Sequence, residues 1–203
     1  MNRVSGMNAR SREPGPRNGK RDAILHAAWG LIRHYGYGKT TIDDIARRAG
    51  VSKGTVYLYF DSKTEIMLSL ADSTNERITA ELEKIASGGG EPSTRLRRCL
   101  LYRVMTLYDL MKRYPHSGNV IASMLPEIVE RLDRYVRRHG ELLGRILEEG
   151  RRAGDFEVAD PAETGHLLAD LFEFLTPPYY RFQSRDSLER FANRVVDLML
   201  VRL

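Results

Sequence analysis

Within residues 50–60, GVSKGTVYLYF, a lysine, a threonine and two tyrosines stand within a few positions of one another. At helical spacing they fall into lines four residues apart: Lys53 with Tyr57, Thr55 with Tyr59, and Val56 with Phe60. The third line is apolar and must face a core, which leaves the first two for something else. A lysine ammonium reaches guanine O6 and N7 or a phosphate, a threonine methyl meets a thymine methyl, and a tyrosine hydroxyl bonds a phosphate. Ser52 is a good helix N-cap, and the amides of the first turn behind it favour an anion. Gly54 has no side chain, so another backbone can come close. The competing use of Tyr57 and Tyr59 is to cover the core.

Other chemistry finds little support. GKTT at 38–41 ends like a phosphate-binding loop, but Arg33 stands where the first glycine belongs and no strand precedes it. The five histidines, His26, His34, His116, His139 and His166, show no metal-ligand spacing, and there is no GxSxG. No enzyme, metal site or cofactor is expected. Cys99 is the only cysteine, so no internal disulfide forms, and its flank RLRRCLLYRV makes it a small core residue rather than a redox sensor.

Charge is unevenly distributed. Residues 1–65 carry 12 Lys and Arg against 6 Asp and Glu, whereas the rest carries 20 against 21. The positive excess sits on the third of the chain that holds the candidate helix, which points to an anionic partner there. No run approaches a membrane span, and the basic N-terminus lacks the apolar stretch of a secretory signal, so a cytoplasmic location is expected.

The elements that must position these residues are helices. Residues 1–19 read as a disordered basic tail, with Met7 an alternative start to Met1. Ile24, Leu25, Ala28, Leu31 and Ile32 mark an amphipathic helix from Lys20 to about Tyr35, which HYGYG ends. Thr41 and Asp44 open a short helix that Gly50 closes, and the candidate helix follows from Ser52 to about Tyr59 or Phe60. A longer helix runs from about Lys63 to Ile85, and SGGGEPS breaks it. Further helices are expected over 93–114, from Pro126 to about Arg152, over 160–175 and over 186–202. A short turn or two is expected at 115–125. The fold class is all-α, about nine helices: a three-helix head at 20–65 and a helical body at 66–203.

The stretch TTIDDIARRAGVSKGTVYLYFDSKTEIM closely resembles the DNA-binding segment of the TetR/AcrR family of bacterial transcriptional regulators. The likeness runs from about Arg21 to Leu70, and beyond it only the helical architecture matches. The resemblance implies that Thr41 caps the second helix and meets a phosphate, and that Ser52 caps the recognition helix. It implies Lys53, Gly54 and Thr55 in the major groove, Tyr57 and Lys63 on phosphates, and Tyr59 near bases or backbone. It also implies a homodimer joined through the last two helices, for which Gly165, Leu168, Ala169, Phe172, Phe191, Val195, Leu198 and Met199 are the candidates. A small-molecule effector would enter the body, and Tyr102, Met105, Tyr108, Met124, Phe172, Phe174 and Tyr179 are the candidate pocket.

The resulting expectation is a dimeric regulator, a repressor before an activator, that binds double-stranded palindromic operator DNA and answers to an effector the sequence does not name. Two alternatives stand beside it: an architectural DNA-binding protein with no effector, and a helical protein-interaction module.

Overall fold

The structure, a computed structural model, describes residues 16–113, 125–173 and 184–200. Among the described residues there are eight helices and no strand. These are α1 (Pro16–Tyr35), α2 (Ile42–Ala49), α3 (Lys53–Tyr57), α4 (Lys63–Ala86), α5 (Pro92–Arg113), α6 (Leu125–Ala153), α7 (Pro161–Glu173) and α8 (Arg185–Leu200). The short element expected at 115–125 falls almost wholly outside the described residues. The chain divides into two compact units, Met1–Ile66 and Met67–Leu203.

In the first unit, α1 begins four residues before the expected Lys20. Residues 16–19 are therefore helical rather than part of a tail, with Pro16 at a position where its missing N–H costs nothing. α2 is short because both its ends are fixed. Thr41 and Asp44 form a reciprocal capping box at its start: the Asp44 amide donates to Thr41 Oγ1 at 3.2 Å and the Thr41 amide to Asp44 Oδ2 at 3.2 Å. Gly50 ends it in the left-handed region at φ 69°, returning its amide to the carbonyls of Ala46 and Arg47. Only a residue without a Cβ takes that conformation without strain. The core of the unit gathers Ile24, Ala28, Leu31 and Ile32 from α1, Ile45 and Ala46 from α2, and Val56, Phe60 and Ile66 beyond them.

In the second unit α5 lies at the centre, packing against α6, α7 and α8. Its buried residues Leu96, Cys99, Leu100, Val104, Met105 and Tyr108 run round much of the helix. α6 and α7 cross at very short range. A Cβ on Gly165 would stand 2.4 Å from the Gly144 amide nitrogen and 2.5 Å from the Gly140 carbonyl oxygen, so three glycines let two backbones meet. That contact lies within one chain. Leu168, Ala169 and Phe172 are likewise buried inside the protomer. Gly165, Leu168, Ala169 and Phe172, expected to face a second copy, are thus already covered within the single chain. The period of α7 carries two apolar stripes, and these four belong to the inner one.

Candidate functional site

In the first unit, α3 is five residues long and owes its existence to its ends. Ser52 is its N-cap, with Oγ accepting the Thr55 amide at 3.1 Å. Ser52 Oγ also meets Thr55 Oγ1 at 2.9 Å. The Tyr59 and Phe60 amides both turn back to the Val56 carbonyl at 3.0 Å, so the chain leaves the helix two residues sooner than its sequence suggests. Val56 and Phe60 are buried in the core. Thr55 and Tyr59 are half-buried along its edge, whereas Lys53, Gly54 and Tyr57 are exposed. Tyr57 keeps 48% of its surface and Leu58, which carried no expectation, keeps 83%. Only Ser52 Oγ lies within 4 Å of where a Gly54 Cβ would stand, leaving that side of α3 open.

The cations of this face are not equally available. Lys53 Nζ donates to Asp43 Oδ2 on α2 at 3.1 Å, in a pair whose side chains are both more than half exposed. That hydrogen bond, with Asp43's charge behind it, raises the Lys53 pKa above the ordinary lysine value. Such a pair is easily exchanged for another anion. Lys63 is differently engaged. Its Nζ donates to the carbonyls of Tyr37 at 2.9 Å and Thr40 at 3.0 Å, and lies 4.2 Å from the centre of the Tyr37 ring. Two of its three donors therefore tie the start of α4 to the loop before α2. Thr41 is also committed: its Oγ1 donates to Asp44 Oδ2 at 2.6 Å, and that bond, first among several causes, holds the Asp44 pKa below the usual carboxylate range.

The second unit holds a buried polar chain. Arg103, whose side chain is only 6% exposed, lies on α5 among apolar neighbours. Its Nε donates to His139 Nδ1 at 3.3 Å, and an Nη2 hydrogen bond joins it to the Glu173 carboxylate on α7. His139 Nε2 is 2.9 Å from Thr79 Oγ1 on α4, and Thr79 Oγ1 itself donates to the Asn75 carbonyl at 2.9 Å. These bonds fix the neutral tautomer: Nδ1 accepts from Arg103 and Nε2–H donates to Thr79. Burial first, then the charges of Arg103 and Arg138, lower the His139 pKa to about 3. Four helices are linked by one run of hydrogen bonds. The remaining nitrogen, Arg103 Nη1, is buried and has no hydrogen-bond partner.

A cavity adjoins this chain, lined by Arg103 and His139 with Leu82, Cys99, Leu100, Leu142, Leu143, Ala169 and Phe172. Of the expected pocket residues, Phe172 lines it. Met105 and Tyr108 are buried elsewhere in the same core, and Tyr102 is half-buried at its edge. Met124, Phe174 and Tyr179 lie outside the described residues. Arg103, His139 and Thr79 were absent from the sequence expectation, although a signal existed. Arg103 follows Cys99 by four and Leu100 by three, on the very stripe that Leu96 opens. Burial also pushes the Cys99 thiol up to about 12, which leaves it unreactive.

On the outward sides, α7 exposes Leu167 and Leu171, four apart, and α8 exposes Phe191 and Leu198, seven apart. Leu198 keeps 73% of its surface. Val195 and Met199 are partly buried against the core, and Leu188, Ala192 and Val196 are fully buried. No helix among the described residues is long and apolar enough to cross a membrane, and none of their His, Cys, Asp and Glu gather into a metal-binding group.

Comparison with known proteins agrees with both halves of this description. Residues 24–70 match the family model of bacterial regulatory proteins of the tetR family, and residues 92–196 match that of the tetracyclin repressor-like C-terminal domain. The fatty acid metabolism regulator protein of Bacillus subtilis is 25% identical over 87% of this chain and 92% of its own length. A transcriptional regulator of the TetR/AcrR family from Thermobifida fusca superposes with a TM-score of 0.71 at 25% identity, over 89% of this chain and 96% of that one. The regulator FadR from Bacillus subtilis in complex with stearoyl-CoA superposes with a TM-score of 0.63 at 21% identity, over 90% and 98%. The chain belongs to the TetR family of helix-turn-helix transcriptional regulators.

Proposed function

We propose that the chain is a cytoplasmic, homodimeric repressor that releases a palindromic operator when a small apolar effector enters its second unit. The observation that carries the DNA-binding half is α3 itself. Val56 and Phe60 anchor it, and the same five-residue helix turns Lys53, Gly54 and Tyr57 outward. Lys53, Gly54 and Thr55 enter the major groove, with Tyr59 beside them. Tyr57 and the first turn of α3 behind Ser52 take phosphates, as does the start of α2 at Thr41. Lys63 has one donor left for a phosphate, so its larger part is to hold the loop that presents Thr41.

The outward stripes support dimerisation. Leu167 and Leu171 on α7 and Phe191 and Leu198 on α8 are too large and too exposed for a lone protomer's surface to need. Two copies then carry two recognition helices, which must meet major grooves about 34–36 Å apart or a multiple of that. An effector that shifts α4 alters this separation and so weakens binding. The apolar lining beside Arg103, and the stearoyl-CoA bound by the Bacillus subtilis relative, both support an effector with an apolar body.

The test is selection of bound duplexes from a random library at physiological salt with competitor DNA. One palindromic site is the expected result. Recovery of unrelated sequences in proportion to their abundance would remove sequence-specific regulation.

A further inference from the structure

Between α1 and α2 the first unit has an open groove of about 390 Å³. Leu31 and Tyr35 line it from α1, Asp44, Arg47 and Arg48 from α2, and Lys39 and Thr40 from the loop that joins them. Leu31 and Thr40 are buried at its base, whereas Tyr35, Lys39, Arg47 and Arg48 are exposed. Three cations thus share the groove with one carboxylate, and that carboxylate is already engaged. Asp44 Oδ2 accepts the Thr41 hydroxyl at 2.6 Å and the Thr41 amide at 3.2 Å, and Oδ1 lies 3.6 Å from Arg47. Among the described residues, Lys39 and Arg48 meet no carboxylate. Arg48 has a seat nonetheless. Its guanidinium lies against α1 over Gly30, where a Cβ would stand 2.9 Å from Nη2 and 3.2 Å from Cζ and Nε.

The groove adjoins the start of α2, because Lys39 and Thr40 directly precede the N-cap Thr41. Along each strand of a duplex a phosphate recurs about every 3.4 Å of axis. A strand that brings one phosphate to Thr41 therefore carries others past the groove. A phosphodiester suits the side chains there: a guanidinium bonds it through two parallel N–H groups, an ammonium meets it as a point charge, and the Tyr35 hydroxyl adds a neutral donor. We propose that this groove is a second contact with the DNA backbone, in which Lys39 and Arg48 hold phosphates of the strand that passes the start of α2. The inference rests on the reading of α3 as the recognition helix, and it extends the interface to the α1 side of α2.

The test uses the full-length protein and the duplex recovered by selection, with one phosphate at a time replaced by a neutral methylphosphonate. The wild type is expected to lose about three- to tenfold in affinity at one or more phosphates of each half-site. Arg48→Gln and Lys39→Gln are each expected to weaken operator and unrelated duplexes alike and to lower the slope of affinity against salt by about one. Each should also lose the sensitivity to one of those methylphosphonates, while the selected sequence and the melting temperature stay those of the wild type. Arg33→Gln is the control. It removes the same charge from an exposed side chain two residues from both Leu31 and Tyr35, on the opposite side of α1, and is expected to change the slope by less than half as much.

Variants that weaken binding no more than Arg33→Gln, or that keep the wild-type sensitivity at every neutralised phosphate, would overturn the proposal. The groove would then be a solvated surface, or a seat for carboxylates of a second copy. A selected sequence altered by Arg48→Gln would overturn it as well, since the arginine would then read a base. If no palindrome is recovered, the regulator reading fails by itself, and the salt slopes on an unrelated duplex still decide whether the groove holds phosphates.

Discussion

Lys53 and Arg103 are both cations held by one carboxylate from another helix, and they show how the two units spend charge differently. Lys53 sits more than half exposed on α3, and Asp43 across from it is as exposed. Water and salt share that interaction, so it costs little to break and another anion can take Asp43's place. Arg103 is buried between the partly exposed Glu173 carboxylate and His139, with Thr79 beyond the imidazole. Nothing there can be exchanged without leaving a buried group unmatched. The first unit therefore keeps its charges available for a partner that arrives from solvent. The second keeps its charge out of solvent.

The sharpest way to break this contrast is to remove one carboxylate from each side. Glu173→Leu is expected to destabilise the protein by about 3–5 kcal/mol, because Arg103 is then buried without its counter-ion. Asp43→Leu is expected to leave the denaturation midpoint nearly unchanged. Adding Arg103→Met to Glu173→Leu should recover most of the loss, since an apolar pair of similar volume costs the core little. Urea denaturation of the three variants and the wild type measures this. A Glu173→Leu effect no larger than that of Asp43→Leu would mean that water reaches Arg103 and that the contrast fails.

His139 gives a second, smaller handle. Its folded pKa, about 3, lies below the ordinary 6.5. The neutral ring is favoured by folding, so this contribution is complete above pH 6.5 and drains as the pH falls towards 3. Between pH 7.5 and pH 5 the loss is about 2 kcal/mol. His139→Gln is expected to flatten the slope of stability over that interval, whatever it does to stability at neutral pH. An unchanged slope would assign the acid sensitivity to the other groups of the chain.

Much of the first unit was legible in the sequence because local chemistry determines it. A threonine with an aspartate three residues on, a glycine at a helix end and a serine before a short apolar line each act within a turn or two. The helices of the second unit were legible for the same reason, from their apolar period. The partners of its residues were not. Arg103, His139, Thr79 and Glu173 come from four helices as far apart as residues 79 and 173, and no spacing rule joins them. α7 was ambiguous for a related reason. Its sequence offers an inner stripe with Leu168 and Phe172 and an outer one with Leu167 and Leu171, and only the position of α6 decides which is inner. Lys63 looked free for a phosphate because backbone carbonyls leave no mark in a sequence.

The smallest effects on stability belong to the exposed pair, yet they separate two roles on DNA that the fold leaves together. Asp43→Asn keeps the size of the side chain, removes one negative charge from the face proposed to meet DNA, and releases Lys53. Its expected result is a melting temperature like that of the wild type and an affinity raised about three- to tenfold on every duplex, operator or not, fading as salt is added. Lys53→Ala acts on the other side of the same pair. If Lys53 reads a base edge, the selected site changes at one position in each half while affinity for unrelated duplexes barely moves. If it holds a phosphate instead, all duplexes weaken alike and the slope of affinity against salt falls by about one. The two substitutions together are then decisive. A site altered by Lys53→Ala but not by Asp43→Asn places the lysine in the groove and makes the aspartate its resting partner in the absence of DNA.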